Sequence, residues 1–150
     1  METDAIEKIN KLPLHENVLP GQRQTNHLLV LDDNQDILST VGRLAIHAGY
    51  TFTGVDRAET FIEKFNGDSP SFVILDVVLG TQDVLSVVDF LGKQQFSAAV
   101  VLMSGYDHRM LRAVAEVARD HGLHIAGTVE KGAGLDRLTH LLGAHFVGAR

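Results

Sequence analysis

The sequence contains no cysteine, so disulfides and thiolate metal sites are excluded and a reducing compartment fits. It also lacks a basic excess: 13 Lys and Arg stand against 19 Asp and Glu, a net charge of −6. Binding nucleic acid needs a basic face for the phosphates, so no direct nucleic-acid contact is expected. No apolar run approaches the ~20 residues of a membrane span. The first residues are mixed and polar and form no signal-peptide core. A soluble, cytoplasmic protein without membrane attachment is the expectation. What is present argues for a packed domain. The hydrophobic share of 45% is too high for a disordered chain. A length of 150 residues suits one domain with one core.

Residues 1–26 carry Pro13, Pro20 and Gly21 among polar side chains and read as a tail, flexible or partly helical near residues 5–11. The domain is expected over 27–150. In it, short apolar runs alternate with helical patterns. After the run 28–31, Ile37, Leu38, Val41, Leu44, Ala45 and Ala48 share one helical face, and Gly49 ends that helix. After the run 51–55, Asp56 is expected to cap a second helix with Glu59 three residues on, burying Ala58, Phe61, Ile62 and Phe65. The cluster 66–70 (Asn-Gly-Asp-Ser-Pro) reads as a turn.

Val84, Val87, Val88 and Leu91 mark a third helix after the run 72–75. Leu111, Val114, Ala115 and Ala118 mark a fourth after 98–103. Leu135, Leu138 and Leu142 mark a fifth after 124–129. Five βα units in alternation imply a doubly wound α/β fold with a parallel sheet and helices on both faces. The second run is the least apolar, as an edge strand would be.

Four of the five runs lead into a candidate site residue: Asp32 and Asp33 after the first, Asp76 after the third, Ser104 after the fourth, Lys131 after the fifth. In an open α/β sheet the carboxyl edge is where ligands bind. Three carboxylates with one cation and one hydroxyl suit a divalent metal and a phosphoryl group. Carboxylates crowded together repel, and a hard cation such as Mg²⁺ relieves this. Asp76, followed by Val77, Val78 and Leu79, has the surroundings of a nucleophile able to form an aspartyl phosphate. Taken singly, each residue has a plainer reading. Asp32-Asp33-Asn34 caps a helix, Asp76 does the same, Ser104 opens a βα turn, and Lys131 is a solvated loop lysine. The inference rests on the constellation, and Asn34 serves as a cap in either case.

Other site patterns are absent. His140 and His145 have the wrong spacing for a His-Glu-x-x-His zinc helix, and there is no Gly-x-Gly-x-x-Gly or Walker loop. No Gly-x-Ser-x-Gly nucleophile elbow occurs.

In this order and spacing the residues from about 27 to 147 resemble the receiver domain of bacterial two-component response regulators. The resemblance implies a flavodoxin-like (βα)5 fold with strand order 2-1-3-4-5. It implies an acidic pair at Asp32 and Asp33, phosphoacceptor Asp76, and Ser104 and Lys131 as groups that bond the phosphoryl oxygens. Mg²⁺ would be the cofactor, with Asp33, Asp76 and the carbonyl of Val78 as direct ligands and Asp32 helping. The implied partner is a histidine kinase or histidine phosphotransfer protein, and a homodimer is compatible. On this reading the domain is no enzyme beyond catalysing its own phosphorylation and dephosphorylation. The stretch from Ser104 to Leu123 is also similar, more weakly, to receivers attached to EAL phosphodiesterase domains. No such domain follows here, which fits a stand-alone regulator or an excised domain.

The sequence departs from the family at four places. Gly80 and Gly132 stand where proline is usual, and Val84 where glycine is usual. Thr128 replaces an aromatic whose rotation often reports phosphorylation. With Gly132 after it, Lys131 is expected to precede a trans bond, because cis costs a non-proline bond about 2.5–4 kcal/mol. A less fixed Lys131 is expected to follow. The Gly132 and Thr128 departures motivate the alternative of a pseudo-receiver, an interaction domain working without phosphorylation. An Asp-nucleophile phosphohydrolase would carry a second Asp two residues after Asp76, where Val78 stands.

Overall fold

A computed structural model describes residues 26–79, 84–105 and 107–148. Strands and helices alternate: β1 (His27–Leu31), α1 (Gln35–His47), β2 (Thr51–Val55), α2 (Ala58–Asp68), β3 (Phe72–Asp76), α3 (Val84–Lys93), β4 (Ala99–Ser104), α4 (His108–Asp120), β5 (His124–Glu130) and α5 (Leu135–Ala144). A short 3₁₀ turn, Gly132–Gly134, leads into α5. All strand pairs are parallel, in the order β2-β1-β3-β4-β5. The expected doubly wound fold and strand order are both present.

The three central strands are buried along their whole length. Side chains alternate across a strand, so continuous apolar runs mean both faces are covered. Leu29, Leu31, Val73, Leu75, Val100 and Leu102 pack with Phe61 of α2, Val87 and Leu91 of α3, and Val114 and Ala118 of α4. Leu28, Val30, Phe72, Ile74, Val101 and Met103 pack with Val41 and Ala45 of α1 and Leu138 and Leu142 of α5. β2 is more exposed and lies at the sheet edge. The expected tail helix near 5–11 lies outside the described residues.

Two local expectations are corrected. Asp56 does not cap α2: the capping position is Arg57, whose side chain makes no cap bond, and Asp56 Oδ2 instead accepts from Gln35 Nε2 at 3.4 Å. Asn66, Gly67 and Asp68 are the last residues of α2, not a turn. The helix ends at Ser69 (φ 48°), because Pro70 disfavours a helical residue before it. Gly49, by contrast, ends α1 as expected. Its φ is +94°, and a Cβ there would meet Phe146 at 2.7 Å.

Tyr50, directly after Gly49, is 3% exposed and gives its hydroxyl hydrogen to the Leu142 carbonyl at 2.7 Å. Its ring meets Phe72 and Phe146 edge-on. It therefore joins the end of α1 to the last turn of α5. Tyr50→Phe should lower the unfolding free energy by about 1–3 kcal/mol, the cost of leaving a buried acceptor unpaired. Urea denaturation of the two proteins measures the difference.

Candidate functional site

The site is built where the sheet ladder runs out. The register places Leu31 beside Leu75, Asp76 beside Met103, and Ser104 beside Glu130. Three further backbone bonds extend the ladder: Asp32 N–H to Val55, Val77 N–H to Met103, and Lys131 N–H to Ser104. Asp32, Asp33, Asp76, Ser104 and Lys131 therefore emerge at one edge, although they come from four separate strands.

Asp32, Asp76 and Ser104 are almost wholly buried, at 0%, 1% and 1% exposure. Asp33 is exposed. Each of the three aspartates offers an oxygen within 4.8 Å of the others. Lys131 Nζ lies 2.9 Å from Asp32 Oδ2 and 3.0 Å from Asp76 Oδ2. The outer carboxylate oxygens turn to the backbone: Asp32 Oδ1 accepts Asn34 N–H at 2.8 Å, and Asp76 Oδ1 accepts Val78 N–H at 3.0 Å. Asn34 also caps α1, its Oδ1 accepting the N–H groups of Asp36 and Ile37.

Burial raises the Asp76 carboxyl above the usual 3.8, opposed by the Val78 N–H and the Lys131 ammonium; the Asp32 charge adds to the rise. Lys131 is displaced upward from 10.5: burial works against its charge, but the two carboxylates outweigh it. Lys131 is thus the cation that allows two buried carboxylates side by side. Its peptide bond to Gly132 is trans, as expected, and Gly132 has a φ of +79°. At its far end the Lys131 ammonium meets both carboxylates.

The residues fit a divalent cation. Three oxygens within 4.8 Å match the span of a cation bound at about 2.0–2.6 Å. Among the described residues, buried Asp32 Oδ2 has no hydrogen-bond partner and meets only the charge of Lys131 at 2.9 Å. Three carboxylates and one ammonium leave a formal −2 when all are ionised. Val78, which is 48% exposed, lies on the rim, and its N–H is bonded to Asp76. Gly80 lies outside the described residues.

The recess is about 290 Å³ and is lined by Asp33, Asp76, Ser104 and Lys131. Asp107 lines it as well and clasps Ser104: the Ser104 hydroxyl accepts Asp107 N–H at 3.2 Å and donates to its carbonyl at 3.3 Å. Asp107 Oδ1 also caps α4 by accepting Met110 N–H. This double role was readable only as a local Ser-to-Asp turn three residues long.

No family model matches the sequence, and no curated protein is significantly similar to it. Solved structures do match the fold. A signal receiver domain of an HD domain-containing protein from Pseudomonas fluorescens Pf-5 is 17% identical with a TM-score of 0.69, over 81% of this chain and 94% of that one. A response regulator from Colwellia psychrerythraea is 21% identical with a TM-score of 0.68, over 81% and 96%. A response regulator protein from Burkholderia pseudomallei is 23% identical with a TM-score of 0.65, over 78% and 66%; its structure contains a phosphorylated aspartic acid, a calcium ion and citrate. The fold is that of response regulator receiver domains.

Because the Asp76 carboxyl titrates higher in the folded chain than in the unfolded one, its ionisation opposes folding. Stability from this group is full below pH 3.8 and is lost as pH rises through the folded-state value. Without divalent cations, Asp76→Asn should therefore be more stable than wild type at neutral pH, and the difference should shrink in acid. Thermal denaturation across pH measures this, and a less stable variant at neutral pH would contradict it.

Proposed function

We propose that this chain is a phosphorylatable receiver domain of a two-component response regulator, with Asp76 as phosphoacceptor. The observation that carries the reading is Lys131 bridging the buried carboxylates of Asp32 and Asp76, with Asp33 and Ser104 in the same recess. In the proposed reaction an Asp76 oxygen attacks the phosphorus of a phosphohistidine on a histidine kinase or phosphotransfer protein. The O–P bond forms, the P–N bond breaks, and the imidazole leaves with its electron pair and takes up a proton. Lys131 shifts from carboxylate pairing to the new phosphoryl oxygens, and Ser104 gives them its hydroxyl hydrogen. Asp33 and Asp76 would hold Mg²⁺ directly, with Asp32 supporting and the Val78 carbonyl on the rim. Bound there, the cation would neutralise charge on the transferring group.

Water later returns Asp76 to its free form, so the domain catalyses only its own phosphorylation and dephosphorylation. The apolar Val78 leaves no acid-base group where a turnover phosphohydrolase needs one. No helix among the described residues is long and apolar enough to cross a membrane, and a histidine-kinase partner would place the domain in the cytoplasm. The intact carboxylate, lysine and hydroxyl set supports phosphorylation over the pseudo-receiver alternative. The signal would leave through the Ser104–Asp107 clasp, since engaging a phosphoryl group draws Ser104 away from Asp107 and so disturbs the start of α4.

Acetyl phosphate with Mg²⁺ should add one phosphoryl group to wild type and none to Asp76→Asn, read by intact-mass spectrometry. An equal mass shift on both proteins would exclude Asp76. Asp33→Ala should remove the response to Mg²⁺; identical titrations of variant and wild type would rule out the metal assignment. With beryllofluoride, amide exchange should change over residues 104–112, and a change confined to other segments would show another exit for the signal.

A further inference from the structure

A second polar cluster lies at the opposite edge of the sheet, where the strands begin. His27 opens β1 and is 4% exposed. Both ring nitrogens have partners. Nδ1 lies 2.6 Å from Thr51 Oγ1; Nε2 lies 3.2 Å from Asp68 Oδ2 and 3.1 Å from Thr53 Oγ1. Thr53 gives its own hydroxyl hydrogen to Asp68 Oδ2 at 2.9 Å. A carboxylate only accepts, and the hydrogen of Thr53 is committed. Nε2 therefore carries a hydrogen whether the ring is neutral or charged.

Nδ1 is different. The Thr51 hydroxyl has one hydrogen and two outlets, His27 Nδ1 and the Asn26 carbonyl at 3.2 Å. With a neutral ring, Thr51 donates to Nδ1. With Nδ1 protonated, the ring donates to Thr51, and the hydroxyl hydrogen turns to Asn26. Each arrangement leaves no member unpaired, and the two differ by one proton. The Asn26 carbonyl already accepts Thr51 N–H at 2.9 Å. The Asn26 side chain holds the far end of the fold: Nδ2 donates to the Val147 carbonyl at 2.8 Å, and Oδ1 accepts Val147 N–H at 2.7 Å.

We propose that His27, Thr51 and Asn26 form a hydrogen-bond relay: when Nδ1 takes a proton from solvent, the Thr51 hydrogen turns to the Asn26 carbonyl, coupling protonation at the start of β1 to the clasp between Asn26 and Val147. The relay is independent of the phosphoacceptor reading and shares no residue with that site. Around the ring, α2 contributes Asp68, the one charged group acting on it among the described residues. β2 contributes the uncharged Thr51 and Thr53, and the turn before β3 contributes Ser71, whose Oγ accepts His27 N–H at 3.1 Å. Burial lowers the His27 titration from the usual 6.5, opposed by the Asp68 carboxylate, so the ring is neutral at physiological pH and takes up its proton only below 6.5. The folded chain binds this proton less readily than the unfolded one. Its contribution to stability is full above pH 6.5 and is lost as pH falls through the folded-state value.

Long-range ¹H–¹⁵N NMR of the histidine rings tests the relay on the full chain. The Nε2–H tautomer is expected at mildly alkaline pH. His27 should then titrate below pH 6.5, with the amide signals of Thr51 and Val147 moving at the same midpoint. Asp68→Asn should push that midpoint further to acid. Thr51→Val should leave His27 titrating but disconnect Val147 from it. An Nδ1–H tautomer, a ring that stays neutral until the whole fold opens, or a Val147 response unchanged in Thr51→Val would each overturn the relay. The first two readings use wild type alone, so they stand even if a variant fails to fold.

Discussion

Two buried carboxylates, Asp32 and Asp76, stand side by side at the sheet edge, and the arrangement depends on one ammonium between them. Removing ionised groups from water is costly unless each finds a partner, and leaving one unpaired costs several kcal/mol. Lys131 meets both at 2.9 and 3.0 Å. It comes from the end of β5, and β4 separates β5 from β3, so only a long side chain reaches across. The remaining acceptors are covered by the backbone N–H groups of Asn34 and Val78. The two carboxylates are thus held by a few contacts: one shared ammonium and one backbone N–H each.

Ser104 shows how such a site would be read out. Its hydroxyl is occupied at both ends by Asp107, and Asp107 caps α4. On the proposed function, a phosphoryl oxygen in the recess would compete with these bonds, each worth roughly 1 kcal/mol net. The first turn of α4 would then be coupled to the phosphoryl group through a small energy difference, as a two-state element requires. Thr128, half-buried on β5, adds little bulk beside this path.

The three solved structures described above are only 17–23% identical to this chain. A doubly wound fold tolerates that divergence because it needs a pattern rather than particular residues: β-branched and aliphatic runs for the strands, apolar stripes for the helices. The polar residues at the strand ends have less freedom, since each must supply a specific charge or hydrogen at one place.

The sequence by itself determined the element order, the buried faces and the short list of polar residues that close the strands, because periodicity and strand-end position are local properties. Val87, Val88 and Leu91, or Leu111, Val114, Ala115 and Ala118, could be assigned to the core from spacing alone. It misplaced the start and end of α2, where Asp56 and the 66–68 stretch carried turn chemistry that helix packing and Pro70 overrode. Tertiary structure alone decided which carboxylate is buried and which exposed, that Lys131 pairs with both Asp32 and Asp76, and that Asp107 clasps Ser104. It alone brought His27, Thr51 and Asp68 together. Those contacts join residues up to 99 positions apart (Asp32 to Lys131), and their distances follow from strand order and register, which no local pattern encodes.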